Sequence, residues 1–283
     1  MEQIGMGLVV LLGVLAVKRK QAFVLRWQPD RGTWVAIGTG LLAFVLSAAL
    51  RLFEAGAIAR QLLLYGGIWL LCGVVIPWAY VLLAERGTLA GLGLRRERWL
   101  SSLLIGLALA AFFSLVIVFE ADPVALDWAE VWRGAVVLIG AGGLFELFLY
   151  YGFIHIRLER AFGTLPAILL TAVIYVLWHA GTQLPLEADP WLGALKLLGV
   201  GVMYQAVFSL TCNLLIIWPF FMGVGVMLDF LVNVGEMEVI ATAFPWALGT
   251  ILAMAAAVAA IWWIARARGQ AVAEALRSGQ GEL

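Results

Sequence analysis

Nine apolar segments, separated by short polar stretches, constrain what this chain can fold into. They span residues 4–17, 33–50, 62–84, 99–119, 134–153, 165–184, 191–210, 214–234 and 245–265. Lipid offers the backbone no hydrogen-bond partners, so segments of this kind fold as helices that satisfy their own amides and carbonyls. The sequence therefore predicts an all-α fold, a polytopic transmembrane helical bundle with about nine membrane spans. The first segment is the weakest, because as a helix it extends only about 21 Å.

The composition agrees with a membrane protein and excludes other classes. Hydrophobic residues make up 64% of the chain and charged residues 13%, and the mean hydropathy is +1.01, which lies outside the range of soluble globular proteins. The formal net charge is zero, which gives nucleic-acid binding no electrostatic basis. Cys72 lies in an apolar segment and Cys212 in a short loop, so no disulfide framework is predicted. We expect the lipid bilayer to be a partner along most of the chain.

The distribution of Lys and Arg predicts the orientation in the membrane. If the amino terminus is outside and the spans alternate, 14 of the 18 basic residues fall in cytoplasmic segments, while the outer loops are acidic. Cytoplasmic loops carry an excess of basic residues. The pattern therefore predicts an external amino terminus, a cytoplasmic carboxyl terminus, and cytoplasmic loops at 18–31 and 85–98. The expected location is the plasma membrane, as in the inner membrane of a bacterium.

The stretch 140–184 predicts a hairpin of two antiparallel helices joined near Phe162-Gly163. Each helix carries one ionisable residue within apolar sequence, Glu146 on the first and His179 on the second. The two positions are equidistant from the turn, so they lie at the same height, near the middle of a ~30 Å hydrocarbon core. Ionisable groups at this depth are costly and mark functional sites. We therefore predict one shared site, with the two side chains roughly 3–6 Å apart.

Other interpretations of the ionisable residues stay open at this point. Glu146 could act as a general base that activates water, as a proton carrier, or as a protonated carboxyl that is hydrogen-bonded to a neighbour. His179 could also be an interior histidine whose hydrogen bonds are made by nearby groups. Asp229 lies about 16 residues past the loop at 211–213 and is either a third site member or a group facing a polar cavity near the outer surface. His155 is expected at the cytoplasmic interface. No metal and no cofactor is predicted, although a haem or chlorin ligand is an alternative role for either histidine.

Four motifs in this region resemble the core of the CPBP family of intramembrane proteases, which includes the CAAX-prenyl endopeptidases. They are ELFLYYG (146–152), RLERAFGTLPAILL (157–170), YVLWH (175–179) and LAGLGLRRERW (89–99). The connector is the most specific of them, and the resemblance covers about residues 88–230. It divides the chain into amino-terminal spans one to three (1–87), a CPBP-like core (88–234), and a last span with a cytoplasmic tail (235–283).

The resemblance implies a fold, a reaction and a class of substrate. Glu146 matches the glutamate that activates the attacking water in the family, and His179 matches the histidine that assists it. The implied activity is glutamate-dependent hydrolysis of a peptide bond within the membrane. The implied substrate is a membrane protein or a lipidated peptide.

The chain departs from the family's pattern where the oxyanion is expected to be held. Leu147 replaces the second motif glutamate, and Tyr151 replaces the motif arginine. The third motif should follow Trp218-Pro219, but its histidine and asparagine are absent. The matching positions are Gly223 or Val224 for the histidine and Met227 or Leu228 for the asparagine. The half of the site that activates water is therefore visible in the sequence, and the half that stabilises the oxyanion is not.

Two main hypotheses follow from this mixture of matches and departures. The first is an active intramembrane peptidase in which Glu146 and His179 polarise a water and other groups stabilise the oxyanion. The accessory candidates are Asp229, Tyr151, Tyr175 and Tyr204. The second is a catalytically inactive CPBP-fold protein that acts as a structural or accessory subunit of a membrane protein complex. A third hypothesis is a transporter that uses Glu146 as a proton carrier.

Overall fold

The computed structural model of the protein describes residues 2–54, 56–120, 128–179, 189–231 and 242–279. Within these ranges the chain is predominantly helical and contains no β-strand. The long helices are α1 (Glu2–Lys18), α2 (Arg31–Ala49), α3 (Ile58–Ala84), α4 (Trp99–Glu120), α5 (Trp128–Phe162), α6 (Thr164–Trp178), α7 (Pro190–Ser209), α8 (Leu214–Leu231) and α9 (Phe244–Gly279). Short 3₁₀ turns follow α1 (Arg19–Phe23) and α2 (Leu50–Leu52) and precede α4 (Leu89–Leu92). The prediction of an all-α fold is confirmed.

Six of these helices are long and apolar enough to cross a bilayer, which indicates an integral membrane protein. They are α2 (with its 3₁₀ turn), α3, α4, α5, α7 and α9. Helix α6 and the apolar part of α8, Leu214–Gly225, are shorter than a full span within the described residues, and α1 has 17 residues. Each of the nine apolar segments therefore corresponds to a helix, while the count of nine membrane spans stays a prediction.

Helix α5 is the centre of the bundle. It packs against α2, α3, α6, α7, α8 and α9, and 67% of its most apolar stretch is buried, compared with 11% for α4. Apolar side chains on α4, such as Phe112 and Phe119, are exposed. In a membrane protein such residues face lipid, so α4 lies at the periphery and α5 forms the interior.

Small residues allow two peripheral helices to approach the bundle closely. Helix α1 lies on α7 with Gly7 directly against the backbone of Gly199, and α4 lies on α8 with Gly106 against the carbonyl of Ile216. A side chain at either glycine would collide with main-chain atoms. Packing of this kind stabilises membrane bundles, because lipid provides no hydrophobic force between helices.

Helix α2 begins at a capping box that lies outside the apolar segment. The Asp30 carboxylate accepts a hydrogen bond from the Thr33 amide at 2.7 Å, and the Thr33 hydroxyl accepts one from the Asp30 amide at 3.2 Å. The bond from the Thr33 amide lowers the pKa of the Asp30 carboxyl below its ordinary value. The charged cap satisfies amides that have no helical partner, which fixes where the helix starts.

Four loops that are distant in sequence meet at one end of the bundle. The amides of Arg26 and Gln28 donate to the carbonyls of Phe162 and Ala161, at 3.1 and 2.9 Å. At the same end, the Leu214 amide donates to the Gly93 carbonyl at 2.8 Å. Basic residues assign three of these loops to the same side of the membrane, and alternation of the spans assigns the fourth, at 211–213, to that side. The observed arrangement agrees with alternating spans between these loops, while the side of the membrane on which they lie stays a prediction.

Candidate functional site

The turn between α5 and α6 sets the height of the two candidate residues. Helix α5 ends at Phe162 and α6 begins at Thr164. Between them Gly163 has φ +96°, a left-handed conformation, and packs against the carbonyl of Val24. Glycine adopts this conformation without the steric cost of a β-carbon. The antiparallel hairpin with its turn at Phe162-Gly163 is therefore formed as the sequence predicts.

Glu146 and His179 lie at the same level of this hairpin. The residues that precede them, Phe145 and Trp178, are in edge-to-face ring contact with centroids 5.0 Å apart. Glu146 is 7% exposed and His179 is 3% exposed. Both groups are thus buried at matched height, and the approach of their side chains to within 3–6 Å stays a prediction.

The backbone of α5 changes character at Glu146. Residues Gly143–Glu146 form α-helical turns, whereas Leu147–His155 form wider π-helical turns with hydrogen bonds between residues five apart. Wider π-helical turns also form Val136–Gly142 on α5 and Leu62–Val75 on α3, so they do not by themselves mark a site. In this geometry residues four and five positions apart lie on nearly the same face, which brings Tyr150 and Tyr151 beneath the Glu146 carboxyl.

Tyrosines from two helices lie near that carboxyl, and a tyrosine from a third helix interacts with two of them. The Glu146 carboxyl lies within electrostatic range of the phenols of Tyr150 and Tyr151 on α5 and Tyr175 on α6, and Tyr204 on α7 interacts with Tyr151 and Tyr175. All four tyrosines are buried. We call these five residues the carboxyl–tyrosine cluster. Besides Glu146, the cluster contains three of the accessory site residues predicted from the sequence, namely Tyr151, Tyr175 and Tyr204.

His179 is attached to this cluster through Tyr175. Its ring contacts that of Tyr175 with centroids 4.6 Å apart, and its Nδ1 lies 2.9 Å from the Tyr175 carbonyl oxygen. A carbonyl only accepts hydrogen bonds, so the contact makes Nδ1 the donor and leaves the lone pair on Nε2. The local backbone therefore fixes the tautomer in which Nε2 can accept a proton.

Two hydroxyl groups of the cluster point to a ligand-binding role. The hydroxyls of Tyr150 and Tyr151 are buried and have no hydrogen-bond partner among the described residues. Buried polar groups are nearly always paired in native proteins, and exceptions need an explanation such as a bound ligand. These two phenols are therefore available to donate hydrogen bonds to a substrate or water near Glu146.

Gly223 and Val224, at which the resemblance predicts a third motif, lie in packed parts of the bundle. A β-carbon at Gly223 would lie 2.9 Å from the β-carbon of Ala110 on α4, and Val224 is 2% exposed. Gly223 is therefore used in packing against α4, and neither Gly223 nor Val224 carries a polar side chain. The side chains of Met227, Leu228 and Asp229 lie outside the described residues, so the role of Asp229 stays a prediction.

Two cavities of the described structure lie away from the cluster. One cavity of about 410 Å³ lies near the α5–α6 turn and another of about 310 Å³ near the end of α3. Neither is lined by Glu146 or His179.

Three polar residues lie in the interior of the bundle although the sequence did not predict this position for them. Tyr150 was not singled out, and Gln205 on α7 is fully buried next to His155. His155 is also fully buried, edge-to-face against Phe208 with centroids 5.1 Å apart, while its expected level at the cytoplasmic interface stays a prediction. A lone glutamine inside an apolar segment is a signal that could have found Gln205.

The fold and this interior define a class: an integral, all-helical membrane protein with a carboxyl group buried among tyrosines on its central helix. Comparisons with protein-family models, with curated proteins and with solved structures gave no match for this chain.

Proposed function

We propose that this protein is a glutamate-dependent intramembrane endopeptidase of the CPBP type. The observation that carries the proposal is the position of Glu146, which is buried on the central helix among phenol groups and level with His179. A carboxyl group at this depth is costly unless it is used. A substrate whose peptide bond is presented within the bilayer matches the depth of that carboxyl.

The reaction assigns a separate role to each part of the site. Glu146 accepts a proton from water as the water oxygen attacks the carbonyl carbon, and the proton then passes to the leaving nitrogen as the C–N bond breaks. His179 holds the water through Nε2. The hydroxyl of Tyr151, at the position of the family's motif arginine, donates to the oxyanion, with Tyr175, Tyr204 and Asp229 as further donors. The products are a new carboxyl terminus and a new amino terminus.

The missing family donors predict a slow enzyme. Removing one oxyanion donor typically costs about 10²–10³ in rate, and phenols are neutral donors in place of a charged arginine. We therefore expect slow turnover of a lipidated peptide or membrane protein whose residence in the bilayer allows long contact.

A second candidate function rests on a different observation. Gly223 packs against α4, Val224 is buried in the core, and Glu146 itself is buried. This arrangement suits a CPBP-fold protein that has lost catalysis and serves as a structural or accessory subunit of a membrane complex. The two candidates give opposite expectations for the same substitution.

Glu146→Gln distinguishes a peptidase from a scaffold. The amide keeps the size and hydrogen bonding of the side chain but cannot accept the proton from water, so we expect cleavage to fall by about 100-fold or more. The measurement is the appearance of new termini in single-span membrane peptides that share vesicles with the purified protein. Glu97→Gln is the matched control, because it makes the same change at an exposed position and should cleave normally.

Either hypothesis can fail in this experiment. Cleavage that is unchanged in a folded Glu146→Gln protein removes the catalytic hypothesis. Loss of cleavage in that variant, with normal cleavage by Glu97→Gln, removes the scaffold hypothesis. If the wild type cleaves no peptide and both variants retain the same co-purifying membrane partner, the accessory-subunit function is supported.

We also infer nine spans in a plasma membrane, with the amino terminus outside and the carboxyl terminus in the cytoplasm. The support is the 14-to-4 division of basic residues and the meeting of the basic loops at one end. Single cysteines placed in the segment 121–131 should react with a membrane-impermeant reagent from outside the cell. Cysteines placed in 85–98 should be protected. The reverse labelling pattern contradicts this topology.

A further inference from the structure

A basic cavity lies at the end of the bundle where the loops meet. It has a volume of about 410 Å³ and is bounded by the end of α1, the α5–α6 turn and the loop before α8. Its lining includes four cations, Lys18, Arg26, Arg95 and Arg160, and one carboxylate, Glu159. Glu159 is 13 positions beyond Glu146 on α5, or roughly 20 Å along the helix. The cavity is therefore separate from the carboxyl–tyrosine cluster.

The single carboxylate does not neutralise the four cations. Glu159 pairs with Lys18 at 3.1 Å and accepts further hydrogen bonds from the Thr164 hydroxyl at 2.6 Å and the Cys212 thiol at 3.1 Å. Within the described ranges, no ion pair involves the three arginines. The Nε of Arg95 is buried without a hydrogen-bond partner among the described residues. The cavity thus retains a net positive charge from three guanidinium groups.

The thiol in the cavity wall is not a reactive group. Burial, followed by the neighbouring Glu159 carboxylate, raises the pKa of Cys212 to about 12. The thiolate is the nucleophile and metal ligand of cysteine chemistry, and at neutral pH this cysteine stays protonated. The cavity is therefore suited to binding an anion and not to thiol chemistry.

The surroundings of the cavity place it at the membrane surface. The segment that forms one rim carries large apolar side chains that are mostly exposed: Phe23 at 58%, Leu25 at 73% and Trp27 at 76%. Exposed tryptophan and neighbouring apolar groups are typical of the level of lipid headgroups. Helix α6 begins at the cavity wall with Thr164, and its positive N-terminal end adds to the attraction for an anion.

We propose that this cavity binds the phosphate headgroup of an anionic phospholipid. Guanidinium groups match the geometry of phosphate oxygens, and a volume of about 410 Å³ is within the range of small-ligand sites. The acyl chains lie against the exposed apolar side chains of the rim. The proposal is independent of the proposed peptidase activity, because the cavity is separate from the carboxyl–tyrosine cluster.

Two triple variants test the site in the full-length protein. Arg26→Gln/Arg95→Gln/Arg160→Gln removes the three uncompensated charges from the cavity. Arg86→Gln/Arg96→Gln/Arg98→Gln removes three charges from exposed positions at the same end and is the matched control. The measurement is retention of phosphatidylglycerol, with phosphatidylcholine as the zwitterionic comparison, by native mass spectrometry of the purified protein.

We expect the wild type to prefer phosphatidylglycerol and the cavity variant to lose roughly 10- to 100-fold in affinity, since each basic residue near a membrane surface contributes several-fold. The control should change by less than about threefold, because none of its three arginines lines the cavity. Equal losses in the two variants, or no preference between the lipids, overturn the proposal. Inorganic phosphate is the second probe. If it stabilises the wild type against heat at millimolar concentration and phosphatidylglycerol does not compete, the cavity binds a soluble phosphate and the lipid assignment is wrong.

Discussion

Glu85→Ala is expected to lower the free energy of unfolding by about 3 kcal/mol, because it leaves a buried arginine without its carboxylate. Arg157 on α5 is 2% exposed, and its Nη2 donates to Glu85 Oε2 at 2.7 Å. The guanidinium keeps weaker partners, namely the Phe153 carbonyl at 3.3 Å and the Phe153 ring at 4.2 Å. Because Arg157 keeps these contacts and Glu85 is 28% exposed, the expected loss of unfolding free energy is near the lower end of the range for breaking a buried ion pair.

The measurement is denaturant unfolding in detergent micelles, with two comparison variants. Glu97→Ala removes a carboxylate from the same loop at an exposed position and should change stability by less than about 0.5 kcal/mol. Glu85→Met combined with Arg157→Met removes both charges and should recover much of the loss. A Glu85→Ala protein as stable as the Glu97→Ala protein would show that the pair does not hold α3 to α5.

The sequence was sufficient to predict the helices and the hairpin, for a direct physical reason. In lipid an apolar segment has to satisfy its own backbone, so apolar length alone identifies helices such as α4 and α7. Gly163 marks the turn, because few other residues adopt its left-handed backbone. With the turn known, the helical rise places Glu146 and His179 at one height. These inferences use only short-range geometry.

The contacts around the two sites could not be predicted in this way. A helix that is apolar on every side has no pattern that fixes its rotation, so the sequence does not say whether His155 or Gln205 faces protein or lipid. The basic cavity joins Lys18, Arg95 and Arg160, which are brought together only by the packing of four loops. The change to π-helical turns at Leu147 rotates the following residues and has no established sequence signal.

The proposed resemblance has a structural implication at Tyr151 that the sequence did not show. Tyr151, which the resemblance places where that family carries an arginine, is fully buried with its ring against Phe208 and Phe221. A charged arginine there would require a partner or a polar cavity. The tyrosine therefore fits a drier interior than the family's motif implies, which agrees with slow turnover or with a lost activity.

Gly73→Leu is expected to lower the free energy of unfolding by about 3 kcal/mol, because α3 has no room for a side chain where it crosses α5. A β-carbon at Gly73 would lie 2.6 Å from Cδ2 of Phe145 and 2.9 Å from its Cα. The ring could rotate away, but the main-chain atom could not move without separating the helices. Phe145 precedes Glu146 and contacts Trp178, so the same substitution should also disturb the level of Glu146 and His179.

Gly66→Leu is the control, because Gly66 lies on the same helix and a β-carbon there meets no atom within 4 Å. Leucine is the better helix former, so this variant should be as stable as the wild type or slightly more stable. Unfolding in detergent micelles measures both proteins under the same conditions. If Gly73→Leu is tolerated as well as Gly66→Leu, then α3 and α5 are further apart than the structure has them, and the packing that encloses Glu146 is looser than described.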